Sequence, residues 1–335
     1  MTADSLHVAV AGGGSWGTAL AHVLAVAGHD VTLVLRDPAV ADAINKTREN
    51  PRYLPGHPLH PGVKASVSPD VLRKSNLLVL AVPCQHQRAW LASMRDAIAA
   101  ECIIVNASKG LENGTCLTMS RVVMEELAFL SPRYAVLSGP SFAAEVMDGQ
   151  PTAIVLGCED ENLGAGLRQI FSTSFFRCYS CTDVTGVEMG GALKNVMAIA
   201  AGIGDGLGFG SNARAALITR GLAELSRLGT AMGANPLTFM GLSGLGDLVL
   251  TCTGGLSRNR QVGLRLGKGE KLDDIVTSLG MVAEGVKTAE AARWNERAAA
   301  FRPASAAVAF NRKYFAEKGE SVHTSPDQSD KRSST

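Results

Sequence analysis

Short apolar runs alternate with amphipathic stretches through the first half of the chain. Six runs rich in aliphatic and β-branched residues stand out, at 6–12, 31–35, 77–82, 102–106, 134–137 and 152–156. Several are apolar at nearly every position, which is typical of parallel strands covered on both faces. Stretches with helical periodicity, such as 15–27 and 85–100, lie between them. This alternation predicts an α/β fold built on a doubly wound, largely parallel sheet.

The pattern changes after about residue 183. Segments 184–201, 212–232, 237–250, 259–266 and 272–279 have helical character, and no β-rich run appears among them. We therefore expect an α/β domain over 1–185 and an all-α domain over 186–318. The polar residues 319–335 are predicted to form a disordered tail.

Composition narrows the class of protein. The 335 residues are 46% hydrophobic and carry a net charge of +1, which favours a globular chain over a disordered one and argues against a nucleic-acid binder. No apolar run reaches the roughly 18 residues of a membrane span, and the N-terminus lacks the basic start of a signal peptide. The seven cysteines are an odd number scattered along the chain, which is typical of a protein whose thiols stay reduced. We expect a cytoplasmic protein.

Two spacings resemble metal sites but lack further ligands. Cys178 and Cys181 form a single C-x-x-C without a second pair, and His57 and His60 lie in a proline-rich loop. A structural zinc site usually needs four ligands, so we expect no metal.

A glycine-rich turn joins the first predicted strand to the first helix. Residues 12–17, Gly-Gly-Gly-Ser-Trp-Gly, fit the pattern G-x-G-x-x-G. In that pattern Gly12 permits the tight turn, Gly14 lets a pyrophosphate approach the backbone, and Gly17 allows close helix–strand packing. The helix N-terminus then offers N–H groups to phosphates. The setting predicts a Rossmann-like dinucleotide site; the alternative is a tight turn without a ligand.

The second strand ends in Arg36-Asp37. An acid at this position usually binds the ribose hydroxyls of NAD, whereas an arginine accommodates the 2′-phosphate of NADP. Because Arg36 precedes Asp37, we expect the protein to bind NADP, or both NADP and NAD. The alternative is an exposed arginine at a strand end.

Loops after two later strands carry polar groups to the same edge of the sheet. Lys109 follows the strand that ends at Asn106, and the segment 138–143 with Gly139 and Ser141 follows the next strand. Loops at the carboxyl ends of parallel strands face the ligand crevice, where a lysine and backbone donors can hold an anion. A solvated loop lysine is the alternative.

Lys194 follows Gly190 and Gly191 in the first long helix of the second half. Two glycines cost helix propensity, about 1 kcal/mol each relative to alanine, so that face should pack closely against something. A lysine in a crowded, partly dry site has a lowered pKa and can exchange protons near neutral pH. The alternative is a surface lysine.

Two further polar segments lie downstream. Asp247 ends a glycine-rich stretch that is unsuited to a regular helix, and it would suit either a pocket or a helix N-cap. Ser257, Arg258, Asn259 and Arg260 combine a hydroxyl, two guanidinium groups and an amide, which suits phosphate binding. An exposed basic turn would have the same composition.

Taken together, these motifs resemble one family. They are 12–17, 108–110, 138–143, 190–195, 206–213, 244–247 and 257–260, and in this order they are similar to bacterial NAD(P)-dependent glycerol-3-phosphate dehydrogenases. The likeness runs from about residue 6 to 288 and fades near Ala289, beyond which the chain is rich in alanine and arginine. It implies interconversion of sn-glycerol 3-phosphate and dihydroxyacetone phosphate for phospholipid synthesis. We expect a homodimer, and from the position of Arg36 we expect NADPH to be favoured over NADH.

The resemblance also implies roles for individual residues. It makes Lys194 the proton-transfer residue. Its substrate positions are Lys109, Gly139, Ser141, Lys194, Asp247, Ser257, Arg258 and Asn259. Its cofactor positions are Ser15, Trp16, Arg36, Tyr53, Lys109, Ala143, Arg258, Val282 and Glu284.

Two other functions fit part of the pattern. A non-catalytic NAD(P)H-sensing protein would need only the glycine-rich turn, and could dispense with Lys194, Asp247 and Arg258. A related hydroxyacid dehydrogenase with a helical second domain would act on a carboxylate, so its activity would not require a phosphate.

Overall fold

An eight-stranded sheet forms the centre of the first half. The computed structural model describes residues 5–279 and Gly285. The strands of the sheet are β1 His7–Ala11, β2 Asp30–Val34, β5 Val63–Ser66, β6 Leu77–Leu80, β7 Ile103–Asn106, β8 Tyr134–Ser138, β9 Thr152–Gly157 and β10 Phe176–Cys181. Their order is β10-β9-β8-β7-β6-β1-β2-β5, and every adjacent pair except β8–β9 is parallel. The predicted α/β class is confirmed.

The antiparallel β8–β9 pair departs from the predicted parallel arrangement. The only helix in the connection is α6, Ala143–Met147, which has five residues. Such a helix rises about 7.5 Å, whereas returning along a five-residue strand requires about 17 Å. The chain therefore re-enters the sheet from the same end, as a short connection requires.

Helices cover both faces of the sheet. They are α1 Ser15–Val26, α2 Pro38–Thr47, α3 Asp70–Arg73, α4 Cys84–Met94, α5 Met119–Glu126, α6 and α7 Glu161–Phe171. Val8 and Val10 of β1 belong to one buried apolar cluster, and Ala9 and Ala11 belong to another. Successive side chains of a strand point to opposite faces, so both faces of β1 are covered. This explains the nearly continuous apolar runs.

A two-stranded hairpin, β3 Glu49–Asn50 and β4 Leu54–Pro58, lies outside the main sheet. The hydrophobic pattern did not predict it, because β4 reads Leu-Pro-Gly-His-Pro and is mostly exposed. Asn50 is fully buried, and its amide donates to the Gly13 carbonyl oxygen (3.0 Å) and to the Thr18 hydroxyl (2.8 Å). The hairpin is thereby attached to the glycine-rich turn.

The described residues after 183 form helices. They are α8 Val184–Gly206, α9 Ser211–Ala231, α10 Asp247–Thr253, α11 Arg258–Gly267 and α12 Leu272–Leu279. The segment predicted as a helix over 237–250 instead contains a 3-10 turn, Pro236–Met240, and one π-helical turn, Leu242–Gly246, before α10 begins. The glycines at 241, 244 and 246 account for the irregularity, because glycine disfavours a regular helix. The division into domains at 185/186 stays a prediction.

Glycines allow α11 to lie directly against α8. A Cβ at Gly202 would overlap the Arg260 carbonyl oxygen, and one at Gly263 would overlap the Ile199 carbonyl oxygen. Gly267 lies against the Ile203 carbonyl oxygen in the same way, so α11 runs beside α8 in the same direction. Small residues at four-residue spacing permit this backbone-to-backbone approach. Across residues 5–279, no helix is both long and apolar enough to cross a membrane.

Candidate active site

The glycine-rich turn has the geometry of an anion site. Gly12 has a φ of +111°, which favours glycine, and a Cβ at Gly17 would overlap the Gly12 carbonyl oxygen. In contrast, no atom lies within 4 Å of the Cβ position of Gly14, which is the N-cap of α1. No side chain caps α1, and its first turn lacks acidic residues. The open, uncapped helix N-terminus therefore fits a dinucleotide pyrophosphate.

The β3–β4 hairpin brings Tyr53 beside this turn. The Ser15 hydroxyl donates to the Tyr53 carbonyl oxygen (2.8 Å), across 38 positions of sequence. Trp16 Nε1 is buried, and no hydrogen-bond partner for it is found among the described residues. Three predicted cofactor residues, Ser15, Trp16 and Tyr53, therefore lie around the start of α1.

Arg36 and Asp37 differ in how they are engaged. Asp37 caps α2 by accepting from the Ala39 N–H (3.0 Å), and its second oxygen accepts from Arg52 (3.2 Å). Both carboxylate oxygens are thus occupied away from the strand end. Arg36 is exposed. The guanidinium of Arg52 also lies 5.4 Å from the centre of the Tyr53 ring.

A buried cluster of two lysines and one aspartate lies between the sheet and the helices. Lys194 of α8 donates to Asp247 Oδ1, and Lys109 Nζ donates to Asp247 Oδ2 at 2.7 Å. Asp247 is only 1% exposed. The carboxylate therefore bridges two ammonium groups that lie 53 and 138 residues away in sequence. The cluster carries one excess positive charge when both lysines are protonated, which suits an anionic ligand.

The pKa of Lys194 is lowered to about 8. Burial is the largest cause, because it penalises the charged form, and the nearby Lys109 acts in the same direction. Asp247 opposes both by stabilising the ammonium. A lysine with this pKa exchanges a proton readily near neutral pH.

Two glycines let α8 reach the cluster. A Cβ at Gly190 would lie 2.6 Å from the Ser243 carbonyl oxygen in the π-helical turn, and one at Gly191 would lie 2.7 Å from the Ser138 hydroxyl oxygen. The side chain of Lys109 also passes Gly191, with its Cγ 3.4 Å from that Cβ position. The close packing expected from the glycine pair is therefore packing against protein atoms of the site.

The loop after β8 contributes backbone to the same cluster. The Gly139 carbonyl oxygen accepts from Lys109 Nζ (3.0 Å) and from the Ser141 hydroxyl (3.1 Å), and Gly139 has a φ of +148°. Ala143 begins α6 directly afterwards. A Cβ at Gly254 would lie 2.6 Å from the Phe142 ring, so this loop also packs against the end of α10.

The N-terminus of α11 lies close to the Lys194 segment. The Ser257 hydroxyl caps α11 by accepting from the Arg260 N–H (3.3 Å), which places Arg258 and Asn259 in the first turn. The Asn259 Oδ1 and the Asn195 carbonyl oxygen both lie within 3 Å of the Cβ position of Gly285. Asn259 and the residue after Lys194 are therefore neighbours. Phosphate groups favour such helix N-termini.

Arg260 is engaged elsewhere. Its Nε and Nη2 donate to Asp205 Oδ2 at 2.8 and 2.7 Å, and Arg214 pairs with the other oxygen of Asp205. Of the two guanidinium groups considered for phosphate binding, the one of Arg260 thus fastens α11 to α8.

Thr251 also lies at the cluster, although no motif in the sequence pointed to it. Its hydroxyl donates to the Asp247 carbonyl oxygen (2.6 Å) and accepts from Lys194 Nζ (3.0 Å). The four-residue spacing from Asp247, which puts both on one helical face, is the signal that could have revealed it. The predicted cofactor residues Val282 and Glu284 lie outside the described residues. Over 5–279, no three His, Cys, Asp or Glu side chains are grouped as a metal site would require.

Comparison with known proteins identifies the family. Residues 7–164 match the family model described as the N-terminus of NAD-dependent glycerol-3-phosphate dehydrogenase, and residues 183–302 match the model of its C-terminus. The chain belongs to this family.

Individual relatives support the family assignment over most of the length. A glycerol-3-phosphate dehydrogenase (NAD(P)+) of Nitratidesulfovibrio vulgaris strain DP4 is 62% identical over 287 residues, covering 85% of this chain and 87% of the relative. One from Desulfovibrio desulfuricans is 64% identical over 289 residues, covering 86% and 87%. The crystal structure of glycerol-3-phosphate dehydrogenase from Coxiella burnetii superposes with a TM-score of 0.88 at 37% identity, covering 93% and 95% of the two chains.

Proposed function

We propose that this protein is a glycerol-3-phosphate dehydrogenase that transfers hydride reversibly between NAD(P)H and dihydroxyacetone phosphate. The observation that carries the proposal is the Lys194–Asp247–Lys109 cluster, with the N-terminus of α11 close to the Lys194 segment. The uncapped N-terminus of α1 supplies the separate site suited to a dinucleotide pyrophosphate. Relatives with the printed name glycerol-3-phosphate dehydrogenase (NAD(P)+) are 62–64% identical to this chain over 287–289 aligned residues. The product would enter glycerophospholipid synthesis.

Lys194 would act as the acid that protonates the ketone oxygen of the substrate. An ammonium has three N–H donors. Two of those on Lys194 point to Asp247 and Thr251, so the third can reach a substrate oxygen. The bound nicotinamide supplies the hydride. In the reverse direction, neutral Lys194 would take the hydroxyl proton.

The remaining residues would bind and orient the substrate. Ser257, Arg258 and Asn259 at the N-terminus of α11 would hold its phosphate, through the helix dipole and side-chain donors. Lys109 would bind the part of the substrate near Asp247, because it is held between Asp247 and the Gly139 carbonyl oxygen. Fixing both ends places the reacting carbon for transfer and lowers the entropic part of the barrier.

One assay distinguishes this function from the two others. We expect NADPH oxidation that depends on dihydroxyacetone phosphate, and no comparable rate with a 2-keto acid that lacks a phosphate. A binding protein that only senses NAD(P)H would show cofactor binding without turnover. A hydroxyacid dehydrogenase would prefer the keto acid, which would contradict the proposal.

The lowered pKa of Lys194 predicts opposite pH profiles for the two directions. Ketone reduction needs protonated Lys194, so its kcat should fall as pH rises through about 8; oxidation needs the neutral amine, so its kcat should rise over the same range. The measurement is kcat from pH 6 to 10 in both directions at saturating substrates. Asp247→Asn should move both midpoints to lower pH, because Asp247 raises the pKa. Profiles without a transition between pH 7 and 9 would exclude Lys194 as the titrating group.

The state of Asp37 favours NADPH over NADH. Because its carboxylate is occupied by the α2 cap and by Arg52, Arg36 is left to meet a 2′-phosphate. Arg36→Ala should lower kcat/KM for NADPH by about 10- to 100-fold, the value of a charged hydrogen bond, with little change for NADH. Steady-state kinetics with both cofactors provide the test. Arg177→Ala, an exposed arginine on the edge strand β10, serves as the control. Equal losses for NADPH and NADH would contradict the role.

We also propose a homodimer located in the cytoplasm. The seven cysteines, scattered along the sequence, support a reducing compartment, and the resemblance to the dehydrogenases supports the dimer. Light scattering of the purified chain would test the dimer.

A further inference from the structure

The loop that carries Lys109 is fastened to α4 by an arginine fork. Arg88 of α4 donates from Nε to Glu112 Oε1 (2.8 Å) and from Nη2 to Glu112 Oε2 (2.9 Å). This is the bidentate geometry in which arginine–carboxylate pairs are strongest. Glu112 lies three residues after Lys109, and its side chain is only 13% exposed. The Arg88 guanidinium holds the pKa of Glu112 below its usual range, so the pair is charged at neutral pH.

A second side chain of α4 holds the same loop by its backbone. Gln85 Nε2 donates to the Leu111 carbonyl oxygen (2.7 Å), and Gln85 Oε1 accepts from the Asn113 N–H (2.8 Å). Gln85 and Arg88 are three residues apart and so share one face of α4. Residues 111–113 are therefore attached to that face on both sides of Glu112.

Arg88 is itself held from a third element. Glu126 and Glu125 of α5 accept from its Nη1 and Nη2, each at 2.8 Å. An isolated exposed ion pair contributes little, whereas a guanidinium shared by three carboxylates keeps one geometry. The Arg88 side chain is therefore held in place by α5, and Glu112 attaches the loop to it.

Only Gly110 separates Lys109 from residues 111–113, the segment attached to α4. Gly110 has a φ of +139°, and this turn directs the chain from Lys109 into residues 111–113. At the other end, the Lys109 ammonium donates to Asp247 Oδ2 and to the Gly139 carbonyl oxygen. A shift of residues 111–113 would withdraw this ammonium from Asp247, and a misplacement of about 1 Å is enough to lower the catalytic rate.

We propose that Arg88, Glu112 and Gln85 are positioning residues that keep Lys109 against Asp247 and so set the charge environment of Lys194. This role rests on the proposed function, because it concerns the proton transfer by Lys194. The titratable groups that face Lys194 among the described residues are Asp247 and Cys252 of α10 and Lys109 of the loop. Of these, only Lys109 is reached by the fork.

The experiment compares two carboxylates that bind the same guanidinium. Glu112→Ala removes the ion pair between Arg88 and the loop and leaves only Gln85 to attach the loop to α4, whereas Glu125→Ala removes a ligand of Arg88 on α5 and leaves both attachments in place. For Glu112→Ala we expect kcat/KM for dihydroxyacetone phosphate to fall about tenfold. We also expect the midpoint of the kcat–pH profile to rise by about 0.5 unit, because withdrawal of Lys109 removes a positive charge that lowers the Lys194 pKa. Glu125→Ala should match the unmodified protein in both, because the less exposed Glu126 still holds Arg88 from α5.

The pH midpoint separates positioning from a loss of stability, because unfolding part of the sample lowers the rate without moving the midpoint. An unchanged midpoint in folded Glu112→Ala would overturn the proposal. If Glu112→Ala does not fold, Gln85→Ala cuts the second attachment of the loop and should move the midpoint in the same direction; an unchanged midpoint there would also overturn it. Failure of the proposed function is distinct, because the unmodified protein would then not turn over the substrate.

Discussion

Replacing Lys194 with alanine should lower kcat for dihydroxyacetone phosphate reduction by about 10²- to 10⁴-fold, the usual contribution of a positioned acid. Cofactor binding should persist, because the glycine-rich turn belongs to a different part of the chain. The fold should persist as well, because Asp247 keeps Lys109 as a charged partner at 2.7 Å. The measurements are single-turnover rates and an NADPH titration followed by tryptophan fluorescence.

Two further variants sharpen this test. Lys194→Arg keeps a positive charge but does not release a proton at neutral pH, so it should not restore turnover. Lys268→Ala removes an exposed lysine after α11 and should behave like the unmodified protein. Turnover of Lys194→Ala within tenfold of the unmodified protein would show that another group donates the proton.

Replacing Gly263 with alanine should destabilise the protein by at least about 2 kcal/mol, as overpacking of a tight contact does. The added Cβ would overlap the Ile199 carbonyl oxygen, which belongs to the backbone of α8 and cannot rotate away. For a chain of 335 residues the melting temperature should fall by at least about 3 °C. Because α11 presents Ser257 and Arg258, its displacement should also raise KM for dihydroxyacetone phosphate.

The matched control is Gly166→Ala in α7. No atom lies within 4 Å of the Cβ position of Gly166, and the residue is exposed within a helix. Alanine should therefore stabilise the protein by up to about 1 kcal/mol through helix propensity. Calorimetry and KM measurements on both variants provide the comparison. Equal melting temperatures for the two would show that the α8–α11 contact can relax.

Local patterns predicted much of the first half of the fold, but not β5, β10 or the antiparallel direction of β9. The apolar runs predicted six strands of the sheet, and the glycine spacing at 12–17 predicted the turn that opens α1. These features depend on residues a few positions apart, because strand burial and turn conformation are set locally. The hairpin at 49–58 was missed, because its exposed, proline-containing strand lacks an apolar pattern.

The glycine enrichment between residues 186 and 285 could not be assigned to particular contacts from the sequence alone. Of 36 glycines, 21 lie between 186 and 285, and the sequence suggested that backbone there must approach a ligand. The structure assigns Gly202, Gly263 and Gly267 to the contact between α8 and α11. Gly190 and Gly191 instead admit Ser243 and Lys109 to the surface of α8. The glycine content indicates that backbone segments pack closely in this region, but it does not indicate which helices or loops are in contact.

The sequence by itself determined the α/β class and the glycine-rich turn, and it pointed to Lys109, Lys194 and Asp247 as candidate site residues. Only the tertiary structure decided that Asp247 bridges Lys194 and Lys109, that Thr251 joins them, and that Arg260 binds Asp205 instead of the cluster. The physical reason is distance along the chain. Contacts across 53 to 138 residues are chosen by how helices and loops pack, and local propensities carry no information about that choice.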